Sequence, residues 1–386
     1  MSDEQSFLNT WKAIQGPALD EAVSRIEAAT EKDARAALSR IPVGFYDFLA
    51  LLSPSADFLI DDVEEAAREL TAQRFGRTVN LYIPLYLSSH CVNGCLYCGF
   101  NKDQPIPRRR LSVDDVKKEG ERIYGEGYRS VLLVAGEDKR EVSVSFLEER
   151  VRLLKEMGFV FVGMEVQPLG VEEYRRLGAA GLDGVTVYQE TYDREIYERV
   201  HPTGPKRDFE WRLKTPERVA RAGIRSVGVG FLLGLGDFRR EAIALSAHVK
   251  HLQKHYWQTA VSVSFPRIHT APGGFAPENH VSDDELVRLI LATRLANPDC
   301  LLTLSTREAP ALRDRLFGAG INQVSAGSKT SPGAYAIDDE AAAGRESSGE
   351  QFPVVDERPP SEVVEAIRRK GLEWVWKDWD VNLRPV

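Results

Sequence analysis

The first 75 residues carry helix-period patterns and no strand-like run, clearest at 19–26 and 63–75, where apolar residues recur every three or four positions. Beyond them the pattern alternates. Short β-rich runs recur at 79–87, 130–134, 160–167, 184–189, 226–233, 259–265, 301–305 and 321–325. Helical segments stand between most of them, at 113–124, 146–157, 239–255, 283–296 and 311–317. Eight strands with intervening helices predict an α/β chain, a (β/α)8 TIM-type barrel. The expected layout is an N-terminal helical extension over 1–75, the barrel over 76–335 and a C-terminal extension over 336–386.

A TIM-type barrel builds its site at the C-terminal ends of the strands. Those ends are polar here. Gly136 and Glu137 follow the second run; Glu165 and Gln167 close the third; Gln189 and Glu190 close the fourth. Ser264 and Arg267 end the sixth, Ser305 and Arg307 the seventh, Ser325 and Ser328 the eighth. One such residue alone reads as a loop group facing water; together they mark one rim as a site.

After the first run come Cys91, Cys95 and Cys98, three of the four cysteines in 386 residues. Disulfide pairing explains them badly, because three is odd and such close neighbours give strained rings. Three thiolates on one short loop fit an iron-sulfur cluster with one iron left open to an exogenous ligand. A closed structural zinc site is the other reading. It needs a fourth ligand, which His90 would have to supply, since Cys300 is far off in sequence.

Composition sets the surroundings: 43% hydrophobic and 28% charged residues describe an ordinary globular chain. No apolar run approaches the about 18 residues of a membrane span, and the start, MSDEQSFLNTWK, lacks a secretory pattern. A reducing cytoplasm is the expected setting, and no membrane partner is expected. A net charge of -8 argues against nucleic acid as the partner. Arg108, Arg109 and Arg110 read as a local basic group or a solvated face. Residues 338–360, acidic and rich in small residues and proline, read as a loop or linker, with a lid as the alternative. A helix at 361–370 and an aromatic terminus, EWVWKDWD, are expected to pack on the barrel through Trp374, Trp376 and Trp379.

The spacing Cys91-x3-Cys95-x2-Cys98, with Tyr97 before the last cysteine, resembles the signature of the radical S-adenosylmethionine superfamily. LYLSSHCVNGCLYCGF, LLVAGE, MEVQPL, VYQETY, HYWQTAVSVSFPR, LSTRE and VWKDWD narrow the resemblance to its aromatic amino-acid lyases, and within them to the tyrosine-cleaving branch of thiamine thiazole biosynthesis. The resemblance implies a 4Fe-4S cluster held by Cys91, Cys95 and Cys98, with S-adenosylmethionine on the open iron. It also implies a 5′-deoxyadenosyl radical and cleavage of the Cα–Cβ bond of tyrosine to 2-iminoacetate and p-cresol. Gly136 and Glu137 are similar to the family motif that meets the methionine ammonium, although Ala135 stands where the motif has glycine. Tyr97 and Phe100 are expected at the adenine, and Glu165 and Gln189 at the ribose or the substrate. Arg307 is expected to clamp the substrate carboxylate through bidentate contacts, with Ser305, Ser325 and Tyr86 at the amino group; a structural pair of Arg307 with Glu308 or Asp314 is the alternative. A flavodoxin or ferredoxin reductant, and hand-off to thiazole synthase and its sulfur-carrier protein, are implied partners. Tryptophan cleavage is the alternative within the family, and a zinc-stabilised binding protein or hydrolase the alternative outside it. The hydrogenase-maturing relatives carry a second cysteine cluster in a C-terminal domain; no cysteine follows Cys300 here.

Overall fold

The computed structural model describes residues 6–271, 274–340 and 349–376. Eight parallel strands close a barrel: β1 (Thr78–Ser88), β2 (Ser130–Ala135), β3 (Phe161–Glu165), β4 (Gly184–Thr186), β5 (Ser226–Gly230), β6 (Ala260–Ser264), β7 (Leu301–Leu304) and β8 (Gln323–Ser325). Closure falls on β1. Its upper half pairs with β2, Ile83 opposite Val131 and Tyr86 opposite Val134, while its lower half pairs with β8, Asn80 opposite Gln323. That offset along one strand is the stagger a closed barrel requires.

Side chains alternate along β1 with the strand period of two. Val79, Leu81, Ile83, Leu85 and Leu87 are buried, whereas Asn80 and Tyr82 line the barrel interior. Helices begin where short polar residues satisfy their first N–H groups. Ser112 caps Val113–Gly125, Ser143 caps Val144–Glu156 and Ser282 caps Asp283–Ala296.

The observed strands are shorter than the apolar runs at their upper ends, because the chain leaves the sheet where the polar rim begins. The run at 184–189 pairs as a ladder only over Gly184–Thr186, though Val187 and Gln189 still donate to the carbonyls of Gly228 and Gly230. Between β4 and β5 the chain forms three short helices, Arg194–Val200, Phe209–Leu213 and Thr215–Arg221, absent from the sequence-based expectation. Pro202, Gly204 and Pro205 interrupt the helical period there.

Helices precede β1, as expected, over Phe7–Ile14, Pro17–Ala28, Glu31–Ala37, Phe45–Leu51 and Ile60–Phe75. They share the barrel's apolar core, which runs from Phe7 to Ile367. Polar pins fix the join: buried Glu217 accepts from the Ser6 hydroxyl (2.9 Å), the Phe7 N–H (2.6 Å) and His251 Nε2 (3.0 Å). Arg288 holds Asp57 at 2.6 Å.

The C-terminal reading needs two corrections. Residues 349–360 are anchored to the barrel rather than wholly solvated, for Asp356 is fully buried against Arg313 and Arg358. After the helix Pro360–Arg369, a further strand, β9 (Glu373–Val375), runs parallel to the start of β1. Asn80 pairs with both Gln323 and Val375, so β9 lies on the flank of β1 opposite β8. Trp376 packs edge-on against Tyr128, as expected of a packing residue, and Trp374 stacks under Arg368; Trp379 lies outside the described residues.

Candidate active site at the barrel mouth

The cysteine loop leaves β1 and folds back over the rim as a hydrogen-bonded shelf. The Gly136 N–H donates to the Ser88 carbonyl (2.9 Å), the Val92 N–H to that of Glu137 (3.1 Å), and the Leu96 N–H to that of Val200 (3.1 Å). Arg108 is the buckle. Its guanidinium donates to the carbonyls of Ser89 (2.7 Å), Phe100 (2.8 Å) and Asn101 (2.5 Å), drawing both ends of the loop together. Arg109 meets Asp338 at 2.7 Å, so only Arg110, beside Glu141, fits the expected solvated face.

Gly136 is required by close approach. A Cβ there would lie 2.3 Å from the His90 carbonyl oxygen and 3.1 Å from Cys91 Cβ. Gly136→Ala must therefore push the shelf away, at about 1–3 kcal/mol. The variant is expected to retain less iron per chain than the parent after anaerobic reconstitution and gel filtration. Equal iron in both would show that the loop has slack.

Cys91, Cys95 and Cys98 face one cavity together with Tyr97, Phe100, Gly136, Glu137, Glu165, Glu190, Lys206, Arg212 and Arg307. Burial pushes all three thiols up, Cys98 to about 11, so thiolates there call for a bound cation. Among the described residues no three His, Cys, Asp or Glu side chains converge as a single metal ion requires; a cluster spreads its thiolates over a wider body. The cavity is roomy, polar and three-thiol, which fits such a group.

Tied to the cysteine loop, two cations and two carboxylates interlock. Arg212 bonds Glu137 at 2.9 Å and approaches Glu190 at 3.6 Å, while Lys206 meets Glu190 at 2.7 Å and Asn93 donates to Glu137 at 2.9 Å. Burial alone would raise both carboxylates. Arg212 and Lys206 overcome it and hold Glu137 and Glu190 below the ordinary carboxylate range. Tyr97 is braced from behind: its hydroxyl lies 2.7 Å from His201 Nε2, and His201 Nδ1 lies 2.7 Å from the Tyr197 carbonyl. With Nδ1–H donating, Nε2 is left to accept from Tyr97, the neutral form that burial favours.

Glu165 is half-buried and lines the cavity. Burial, with Glu190 nearby, raises its carboxyl to about 7, against partial relief from Arg307. A folded pKa above the unfolded one means that folding takes up a proton between about pH 4.5 and 7, so stability falls as pH rises through that window. Glu165→Gln cannot ionise. Its melting temperature is expected to gain on the parent's between pH 5 and pH 8 in anaerobic melts without S-adenosylmethionine; parallel curves would contradict the raised carboxyl.

The structure brings together Cys91, Cys95, Cys98, Tyr97, Phe100, Gly136, Glu137, Glu165 and Arg307. Gln189 is a correction. It is buried and does not line the cavity, whereas its neighbours Tyr188 and Glu190 do, by strand alternation and a positive φ of 70° at Glu190. Tyr86, expected at an amino group, donates its hydroxyl to Gln351 Oε1 at 2.7 Å. Ser305 accepts the Arg307 N–H at 3.4 Å, and Ser325 bonds Tyr82; both line the chamber below Arg307. Gln167 donates to the Val142 carbonyl, a structural bond. Arg307 pairs with neither expected alternative, since Glu308 is taken by Arg267 and Asp314 by Arg358. Sequence reasoning missed Asn93, Lys206, Arg212, Gln351 and Phe352. Lys206 and Arg212 lie off the strands, and only the Pro-Gly-rich turn at 202–207, following the β4 rim, hinted at them.

No helix among the described residues is long and apolar enough to cross a membrane. The chain matches the Radical SAM superfamily over residues 85–246 and the Biotin and Thiamin Synthesis associated domain over residues 264–373. It is 42% identical over 380 residues to 2-iminoacetate synthase of Escherichia coli (strain K12), covering 98% of each chain. To 2-iminoacetate synthase of Salmonella typhimurium (strain LT2) it is 41% identical, over 97% of each. Among solved structures, the FeFe-hydrogenase maturase HydG from Carboxydothermus hydrogenoformans matches with a TM-score of 0.85 at 29% identity, over 96% of this chain and 85% of that one. Methylornithine synthase, at TM-score 0.68 and 22% identity over 94% of this chain and 98% of that one, shares the fold. Near-complete coverage at such identity, together with a three-cysteine shelf at the mouth of the barrel, places the chain in the 2-iminoacetate synthase family of radical S-adenosylmethionine enzymes.

Proposed function

We propose that the protein is a radical S-adenosylmethionine lyase that cleaves the Cα–Cβ bond of L-tyrosine to 2-iminoacetate and p-cresol for the thiazole of thiamine. The observation that carries the reading is that three cysteines and Arg307 line one cavity, while the acids Glu308 and Asp314 are held by Arg267 and Arg358. Cys91, Cys95 and Cys98 would hold a 4Fe-4S cluster with one iron open to S-adenosylmethionine, and that group would supply the one-electron chemistry that turns S-adenosylmethionine into a hydrogen-abstracting radical source.

The rest is work for side chains. Glu137 would offer a carboxylate to the methionine ammonium, and Lys206 and Arg212, which line the same cavity, would set positive charge toward its carboxylate. Tyr97 and Phe100 enclose the adenine, with Tyr97 held in place by His201. Glu165 stands within reach of ribose hydroxyls. Arg307 takes the carboxylate of tyrosine with a planar fork of donors, which fixes the amino group for hydrogen abstraction. Residues 351–352 shield the cavity from water, which a primary radical requires. A cytoplasmic flavodoxin or ferredoxin delivers the electron. Because free 2-iminoacetate hydrolyses, thiazole synthase with its sulfur-carrier protein is the fitting recipient.

The test is an anaerobic assay of reconstituted enzyme with S-adenosylmethionine, reductant, and tyrosine or tryptophan in separate tubes, read by mass. p-Cresol and 5′-deoxyadenosine from tyrosine are expected. A methylindole product from tryptophan, without p-cresol from tyrosine, would overturn the substrate.

A further inference from the structure

We infer that Phe352 is a positioning residue that aims Arg307 at the amino-acid carboxylate; the inference rests on the reading of Arg307 as the substrate clamp. Arg307 Cζ lies 3.4 Å from the centre of the Phe352 ring. The ring is placed to orient this guanidinium, and the neighbouring acids Glu308 and Asp314 are committed to Arg267 and Arg358. An aromatic face suits this role. It fixes the plane of a guanidinium through stacking and cation–π attraction but uses none of the in-plane N–H donors, leaving the fork free for a carboxylate. An acidic partner would orient the arginine equally well and consume those donors.

Phe352 is itself held from three sides. Its carbonyl accepts from the Thr330 hydroxyl (2.9 Å), and the preceding Gln351 N–H donates to the Thr330 carbonyl (3.0 Å). The Gln351 carbonyl accepts the Gly99 N–H of the cysteine loop (2.9 Å), while the Gln351 side chain accepts from Tyr86. On the far side the Val355 and Asp356 N–H groups both donate to the Thr306 carbonyl, beside Arg307 (2.9 and 3.0 Å). The strap thus ties the cysteine loop to the loop bearing Arg307, with the ring set between them. This gives a reason for a segment that composition marks as a linker to be pinned by hydrogen bonds beside the cavity.

The test is steady-state kinetics of the reconstituted holoenzyme with Phe352→Leu, Phe352→Tyr, Arg307→Lys and the Phe352→Leu/Arg307→Lys double variant, alongside iron content. Phe352→Leu keeps apolar volume and loses the π face, so KM for tyrosine is expected to rise about tenfold. KM for S-adenosylmethionine and iron per chain should stay at parental values. Phe352→Tyr should restore most of the tyrosine affinity, and the double variant should fall well short of the product of the single effects. An unchanged KM for tyrosine in Arg307→Lys would overturn the clamp itself. Arg307→Lys weakening tyrosine while Phe352→Leu does not, or Phe352→Leu raising both KM values alike, would overturn the positioning role alone.

Discussion

Cys95→Ala is expected to leave a chain that folds but holds little iron and makes neither 5′-deoxyadenosine nor p-cresol above background. Cys95 is 5% exposed and lies on the shelf that Arg108 buckles at both ends, so no other thiol can move in to replace it. Cys300 is the natural control: it is fully buried, with Gln253 Nε2 donating to its sulfur at 3.3 Å, and does not line the cysteine cavity. Cys300→Ser should keep the parental iron content. Iron determination and product analysis on the two reconstituted variants decide the matter; full iron with p-cresol from Cys95→Ala would remove the loop from the chemistry. Alanine at a buried cysteine costs little fold stability, so a folded, colourless protein is the expected form.

Asp356→Ala should produce the largest loss of stability, about 3–5 kcal/mol, as expected when one partner of a buried ion pair is removed. Arg313 and Asp356 are both fully buried, and the Arg313 guanidinium also donates to the Ser325 carbonyl beneath the site. Without the carboxylate, Arg313 stays enclosed with its charge unmatched, while Arg358 keeps Asp314 at 2.8 Å. Burial would raise the Asp356 carboxyl, but Arg358 and Arg313 hold it below the ordinary value. Its contribution is therefore present above the unfolded pKa near 4 and is lost as pH falls through the lower folded value. Denaturant melts should show a wide gap between parent and variant at neutral pH that narrows in acid. A loss under 1 kcal/mol at neutral pH would mean that the pair is not buried as the structure has it. Since Asp356 anchors the strap carrying Phe352, a loss of tyrosine affinity should accompany the instability.

Much of the site was legible because its signals are local. Three cysteines within eight residues are a single loop wherever the chain folds, and Arg307 stands three residues past the apolar run ending at Leu304. Gln189 shows where local reading fails: one residue of strand register exchanges a buried amide for the carboxylate of Glu190, and apolar runs do not reveal which neighbour points inward. Lys206 and Arg212 failed for another reason. Lys206 meets Glu190 and Arg212 meets Glu137, 16 and 75 positions apart, and nothing in a one-dimensional pattern records such a pairing. The composition of 338–360 misled in the opposite direction. Small, acidic and proline-rich residues suggest a solvated linker, yet Asp356 is acidic in order to answer a buried arginine.

The sequence by itself determined the alternation of strand and helix, the barrel that alternation builds, and the cysteine spacing, since each depends on residues close along the chain and on the period of their side chains. Only the tertiary structure decided which rim residues face one another. It placed Glu190 in the cavity, stacked Phe352 on Arg307, pinned residues 351–356 beside the cavity, and set β9 against β1. Those contacts join segments far apart in sequence, where closure of the barrel, burial of charge and the stagger of β1 set the geometry.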